Sequence, residues 1–128
     1  MSKTVLVDAI NGIINEDGTL FQEMYDLLEK YDNLKIILTG ANDEQFKKFN
    51  LHEAPYDVFT LEHNPEKTEP EYFNRMLKYF TLTANDVIYF EHNADAVKSA
   101  ESVGIKTYFY DHTKRDLEAL KQFIDESL

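Results

Sequence analysis

Five short apolar runs, Thr4–Ile10, Lys35–Thr39, Tyr56–Leu61, Val87–Phe90 and Lys106–Tyr110, recur along the chain, with segments of helical spacing between them. This alternation restricts the fold more than any single residue does. The runs are rich in Val, Ile, Tyr and Phe and almost continuously apolar, the pattern of strands buried on both faces of a sheet. In the intervening segments Phe21, Met24, Leu28 and Tyr31 are spaced by three and four. The same period links Phe73, Met76 or Leu77 and Phe80, then Val97, Ala100 and Val103, then Leu117, Leu120 and Ile124. Thr68, with Glu71 three residues on and Pro70 between them, marks a helix start. Gly12, Gly18, Gly40 and Gly104 all fall at junctions. Strand followed by helix, repeated, predicts an α/β chain: a five-stranded parallel sheet wound in three layers.

At 128 residues the chain is predicted to form a single domain, 1–128, able to bury a core without staples. Cysteine is absent, so no disulfide forms, in keeping with a reducing compartment. No apolar run reaches the roughly 18 residues of a membrane span, and no charged-then-apolar leader precedes the first strand; a cytoplasmic location is the expectation. The net charge of −11 speaks against nucleic acid or an anionic membrane as partner, because either would be repelled before local contacts formed.

Open sheets of this type bind ligands beyond the carboxyl ends of their strands. The first run reaches Asp8, the second Thr39 and Gly40, the fourth Glu91 and His92, and Lys67 precedes the fourth. An acid that attacks, a hydroxyl and a lysine that hold phosphoryl oxygens, and a second acid for a metal ion are the components of a phosphoaspartate enzyme.

In that order these segments resemble the motifs of the haloacid dehalogenase (HAD) superfamily over nearly the whole chain. VLVDAINGI is similar to the first motif, with Asp8 at the nucleophile; IILTG to the second, with Thr39 at the hydroxyl; KTEPEYF to the lysine segment, with Lys67 on the phosphate; and VIYFEHNADAVKSAESVGIKTYFYD to the fourth. The resemblance implies a Rossmann-like sheet of order 5-4-1-2-3. It also implies magnesium held by Asp8, the Ile10 carbonyl and Glu91, and a phosphoryl group held by Thr39, Gly40 and Lys67. NEDGTL, Asn15–Leu20, imitates the end of the first motif, yet only Ile13 and Ile14 precede it and Asn15 stands at the nucleophile position. It reads instead as a hairpin flap turning at Asp17-Gly18.

The chain departs from the family twice. The second aspartate of the first motif, which protonates the leaving group, is replaced by Ile10, with Asn11 next to it able to fill the place but not to act as an acid. Losing such proton transfer costs about 10²–10⁴-fold in rate. In the fourth motif His92 follows Glu91 where an acid is usual, and imidazole suits magnesium poorly, so weak Mg²⁺ binding is expected. The short segments between Asp8 and Thr39 and between Thr39 and Lys67 leave no room for a cap domain. Three functions follow as expectations: a slow or specialised phosphohydrolase acting on a small phosphorylated molecule; an inactive relative binding a ligand or a protein; and a metal-free hydrolase using His92.

Overall fold

The computed structural model describes residues 3–128. Its strands are β1 (Thr4–Asp8), β2 (Lys35–Thr39), β3 (Asp57–Thr60), β4 (Val87–Glu91) and β5 (Lys106–Phe109). Its helices are α1 (Gln22–Leu28), α2 (Asp43–Lys48), α3 (Pro70–Tyr79), α4 (Ala94–Ser102) and α5 (Leu117–Ser127), with single 3-10 turns at Leu51–Glu53 and Ala84–Asp86. All strands are parallel, in the order β3-β2-β1-β4-β5, which is the predicted order read from the opposite edge.

The period-2 alternation of the strands divides the core between two faces. Val5 and Val7 of β1, Ile37 of β2 and Ile88 and Phe90 of β4 face α1 and α5, where Met24, Leu28, Leu120 and Ile124 are buried. Leu6, Ile36, Leu38, Val87 and Tyr89 face the other way, onto Tyr72, Phe73 and Met76 of α3 and Ala100 of α4. Helices therefore cover both faces, and the three central strands are buried along their whole length.

The chain runs outward from β1 through β2 to β3, then returns to lay β4 on the free side of β1. Strand order reverses between β1 and β4, the position where a crevice opens at the carboxyl edge of such a sheet. Asp8 ends β1 and Glu91 ends β4, so both acids lie at that crevice.

Strand ends shift by a residue or two from the sequence reading, and three local differences go further. The first run extends to Ile10, but β1 stops at Asp8 because the Gly12, Ile13 and Ile14 amides fold back onto the Ala9 and Asp8 carbonyls. Gly12 permits that turn: a Cβ there would lie 2.1 Å from the Asp8 carbonyl oxygen. The Thr68–Glu71 cap does not form; Glu69 holds the N-cap position of α3 without a side-chain cap, its carboxylate accepting the Glu66 amide at 2.8 Å, and the helix begins with Pro70. The third difference is α2, a helix of six residues with none buried, which carries no apolar period to reveal it. Its signal is the cap, where Asn42 and Gln45 each accept the other's backbone amide at 3.0 Å. The flap forms as expected: Asn15 and Thr19 pair across a turn at Asp17-Gly18, with Gly18 at φ +84.

Candidate active site

Three of the predicted residues, Asp8, Lys67 and Glu91, meet in one buried cluster. Leu6 and Asp8 lie two apart on β1, as do Tyr89 and Glu91 on β4, so both carboxylates leave the sheet on the face that carries α3. Lys67, in the turn ahead of α3, reaches down between them. Its ammonium donates to Asp8 Oδ1 at 2.9 Å, Glu91 Oε1 at 2.7 Å and the Leu38 carbonyl at 3.2 Å, with the Tyr89 hydroxyl at 3.3 Å. Asp8 is 1% exposed and Glu91 0%, so neither charge is shared with bulk water.

His92 closes the other side. Its backbone amide donates to Asp8 Oδ2 at 3.0 Å, and its Nδ1 makes a second, short hydrogen bond to the same oxygen. The same nitrogen lies 3.3 Å from Glu91 Oε2, which also accepts the Asn93 amide at 3.0 Å. The His112 ring, after β5, packs edge-on against the His92 ring at a centroid distance of 5.0 Å.

The charges in the cluster determine one another. Burial pushes Asp8 above the ordinary carboxylate range, and neighbouring Glu91 adds to it, while Lys67 and His92 pull back. Burial would raise Glu91 too, but the Lys67 ammonium and hydrogen bonds from His92 hold it well below that range. For Lys67, burial favours the neutral amine, and the two carboxylates override it and keep the ammonium. Burial likewise lowers His92, yet its bonds to Asp8 and Glu91 raise it to about 10.

Thr39 lies on the same strand edge, one residue beyond Leu38, the register partner of Asp8. Its hydroxyl accepts the Ala41 amide at 3.2 Å and makes no hydrogen bond to Asp8, Lys67 or Glu91. Its carbonyl receives the buried Tyr72 hydroxyl at 2.8 Å, tying β2 to α3. Gly40 follows, with His63 Nδ1 3.2 Å from where a Cβ would project. Among the described residues, the amides of Ile10 and Gly40 donate to no backbone carbonyl, so both N–H groups remain free at this edge. Asn11 sits in the turn at φ 66, its amide on the Ile14 carbonyl. The sequence reading missed Tyr89, whose hydroxyl bonds to Glu91; the i, i+2 spacing of the two residues on one strand was the available signal.

The side chains of Asp8, Glu91 and His92 each offer an atom within 4.8 Å of the others, a set able to surround a metal ion. Fit to magnesium is poor in this arrangement. Both carboxylates already contact an ammonium, and the His92 ring nitrogen is engaged with Asp8, so it ligates only if that hydrogen bond is given up.

No family model and no curated protein sequence matches the chain. Solved structures do. A mutant HAD family enzyme of Bacteroides thetaiotaomicron, in complex with magnesium and inorganic phosphate, superposes with a TM-score of 0.67 at 15% identity, over 85% of this chain and 94% of that one. An uncharacterized protein of Corynebacterium glutamicum gives 0.66 at 15% identity, over 98% and 96%. The core domain of a protein assigned as a phosphoglycolate phosphatase, from Streptococcus pneumoniae, gives 0.64 at 14% identity, over 98% and 97%. The chain therefore has the haloacid dehalogenase fold.

Proposed function

We propose that this chain, a HAD-fold protein, is a slow or specialised phosphohydrolase with Asp8 as nucleophile. The reading is carried by the Asp8–Lys67–Glu91 cluster at the switch point between β1 and β4. An ionised carboxylate accepts at about four lone-pair positions. His92 fills both on Oδ2, while Lys67 takes one on Oδ1, which leaves Oδ1 as the attacking atom. The free amides of Ile10 and Gly40 and the Thr39 hydroxyl supply donors for the phosphoryl oxygens.

Asp8 Oδ1 forms a bond to phosphorus as the bond to the leaving oxygen breaks, giving an acyl phosphate that water then hydrolyses. With Ile10 in place of an acid, the leaving oxygen takes its proton from solvent. Esters with good leaving groups are therefore the preferred substrates. Magnesium, where bound, would neutralise phosphoryl charge, but its binding here is expected to be weak. Only the flap and α1 lie between β1 and β2, and α2 between β2 and β3, which supports a capless site suited to large or exposed phosphorylated substrates. A small phosphorylated molecule in the cytoplasm remains the simplest substrate class.

One observation favours a non-catalytic binding role instead. The three protons of the Lys67 ammonium are matched by Asp8, Glu91 and the Leu38 carbonyl, leaving none for a phosphoryl oxygen unless the network rearranges. Turnover of p-nitrophenyl phosphate and a panel of natural monoesters by the unmodified protein and by Asp8→Asn separates the readings. Enzyme activity predicts turnover that Asp8→Asn abolishes; equal rates across the panel reject it.

A further inference from the structure

Lys67 bridges Asp8 Oδ1 and Glu91 Oε1, and the other oxygens of the two acids, Asp8 Oδ2 and Glu91 Oε2, face one further position. In this structure a side chain stands there. We infer that the Nδ1–H of His92 takes the place of a divalent metal between Asp8 and Glu91, so that the site binds a phosphate-like oxyanion without metal. The inference rests on the phosphohydrolase reading of the strand ends and specifies how that site is built.

The geometry leaves a metal few openings. Asp8 Oδ2 receives the His92 amide at 3.0 Å and His92 Nδ1, so both of its lone-pair positions are used. The amide is fixed by the backbone at the end of β4, and rotating the imidazole away would free only one of the two. Nδ1 lies 3.3 Å from Glu91 Oε2, whose other partner is the Asn93 amide at 3.0 Å. With both acids ionised, as the Lys67 ammonium between them favours, they only accept, and the ring nitrogen is then the donor. The remaining oxygens, Asp8 Oδ1 and Glu91 Oε1, are 2.9 and 2.7 Å from the Lys67 ammonium. All four carboxylate oxygens thus have donors from within the chain, and a dication on the open position of Asp8 Oδ1 would face the Lys67 ammonium. Magnesium demands near-octahedral oxygen ligation and gives up water reluctantly, so a partial set does not hold it. The His112 ring, edge-on at 5.0 Å, restricts the His92 ring from the β5 side.

The departure of the fourth motif from two acids is, on this view, a substitution of cation source. Replacing His92 with an acid should make the site metal-dependent, because Asp8, Glu91 and a third carboxylate would outnumber Lys67.

Calorimetric titration with inorganic phosphate, in EDTA and in magnesium, tests this on the unmodified protein and His92→Asp. The unmodified protein should bind phosphate equally in both buffers and give no heat with Mg²⁺, Mn²⁺ or Zn²⁺ at micromolar concentration. His92→Asp should lose about tenfold or more of its phosphate affinity in EDTA, through the added repulsion, and regain it with magnesium. Should His92→Asp not fold, nitrogen-15 NMR of the unmodified protein provides the second reading: the His92 Nδ1–H signal should persist unchanged on adding magnesium. Phosphate binding that requires magnesium, micromolar metal affinity, or loss of the Nδ1–H signal on adding metal would overturn the inference and leave the phosphohydrolase reading standing. Absence of phosphate binding in either buffer would overturn both.

Discussion

Replacing Lys67 by methionine removes the only ammonium in the cluster while keeping most of the side-chain volume. Asp8 and Glu91, 1% and 0% exposed, then face each other with His92 as the sole cation, and one buried carboxylate is left uncompensated. Breaking a buried ion pair from one side costs about 3–5 kcal/mol. The loss should depend on pH in a defined direction. In the unmodified protein Lys67 holds Glu91 below its ordinary value of 4.5, so the stability Glu91 contributes is present above that value and lost as pH falls. Without Lys67, burial and the neighbouring Glu91 raise Asp8 further with only His92 in opposition, and the folded state retains a proton that the unfolded chain releases. Stability of the variant then falls as pH rises, by about 1.4 kcal/mol per pH unit for each such proton. Urea denaturation at about pH 5 and about pH 7.5 should show a deficit of about 3–5 kcal/mol at the higher pH and no more than half of that at the lower. A deficit below about 1 kcal/mol, the same at both values, would mean that the cluster is solvated and the buried-charge reasoning wrong.

Three further substitutions probe separate levels of the structure. Gly12→Ala places a methyl 2.1 Å from the Asp8 carbonyl oxygen, a backbone atom that cannot yield, and should cost more than about 2 kcal/mol in chemical denaturation. Asn42→Ala removes the cap of α2 and should lower stability by about 1 kcal/mol, with kcat for p-nitrophenyl phosphate unchanged. Ile10→Asp supplies an acid two residues after the nucleophile and should raise kcat by up to about 10²–10⁴-fold, most for esters with poor leaving groups.

The architecture was legible because buried parallel strands are written as continuous apolar runs, and the interleaved helices by their spacing. The site was legible as far as strand ends go: a residue at the carboxyl end of β1 or β4 must lie at the crevice whatever its rotamer, which placed Asp8 and Glu91. Lys67 was reached through motif order, since its hydrogen bonds to Asp8, Glu91, Leu38 and Tyr89 depend on a turn that no periodicity encodes. The seat of His92 on Asp8 was not legible, because it requires the β4 backbone to present the His92 amide and ring to one oxygen together. The third place where sequence signals were weak is α2, an exposed helix defined by its cap alone.

The central claim is that Asp8 attacks phosphorus, and trapping the covalent product tests it most directly. The protein is mixed with p-nitrophenyl phosphate, quenched in acid within the first turnover, and its peptides are examined by mass spectrometry with and without hydroxylamine. The account predicts one added phosphoryl group on the peptide containing Asp8, removed by hydroxylamine as an acyl phosphate is, and absent from Asp8→Asn. Turnover with no phosphoryl group on Asp8, or with the label on another residue, would contradict it.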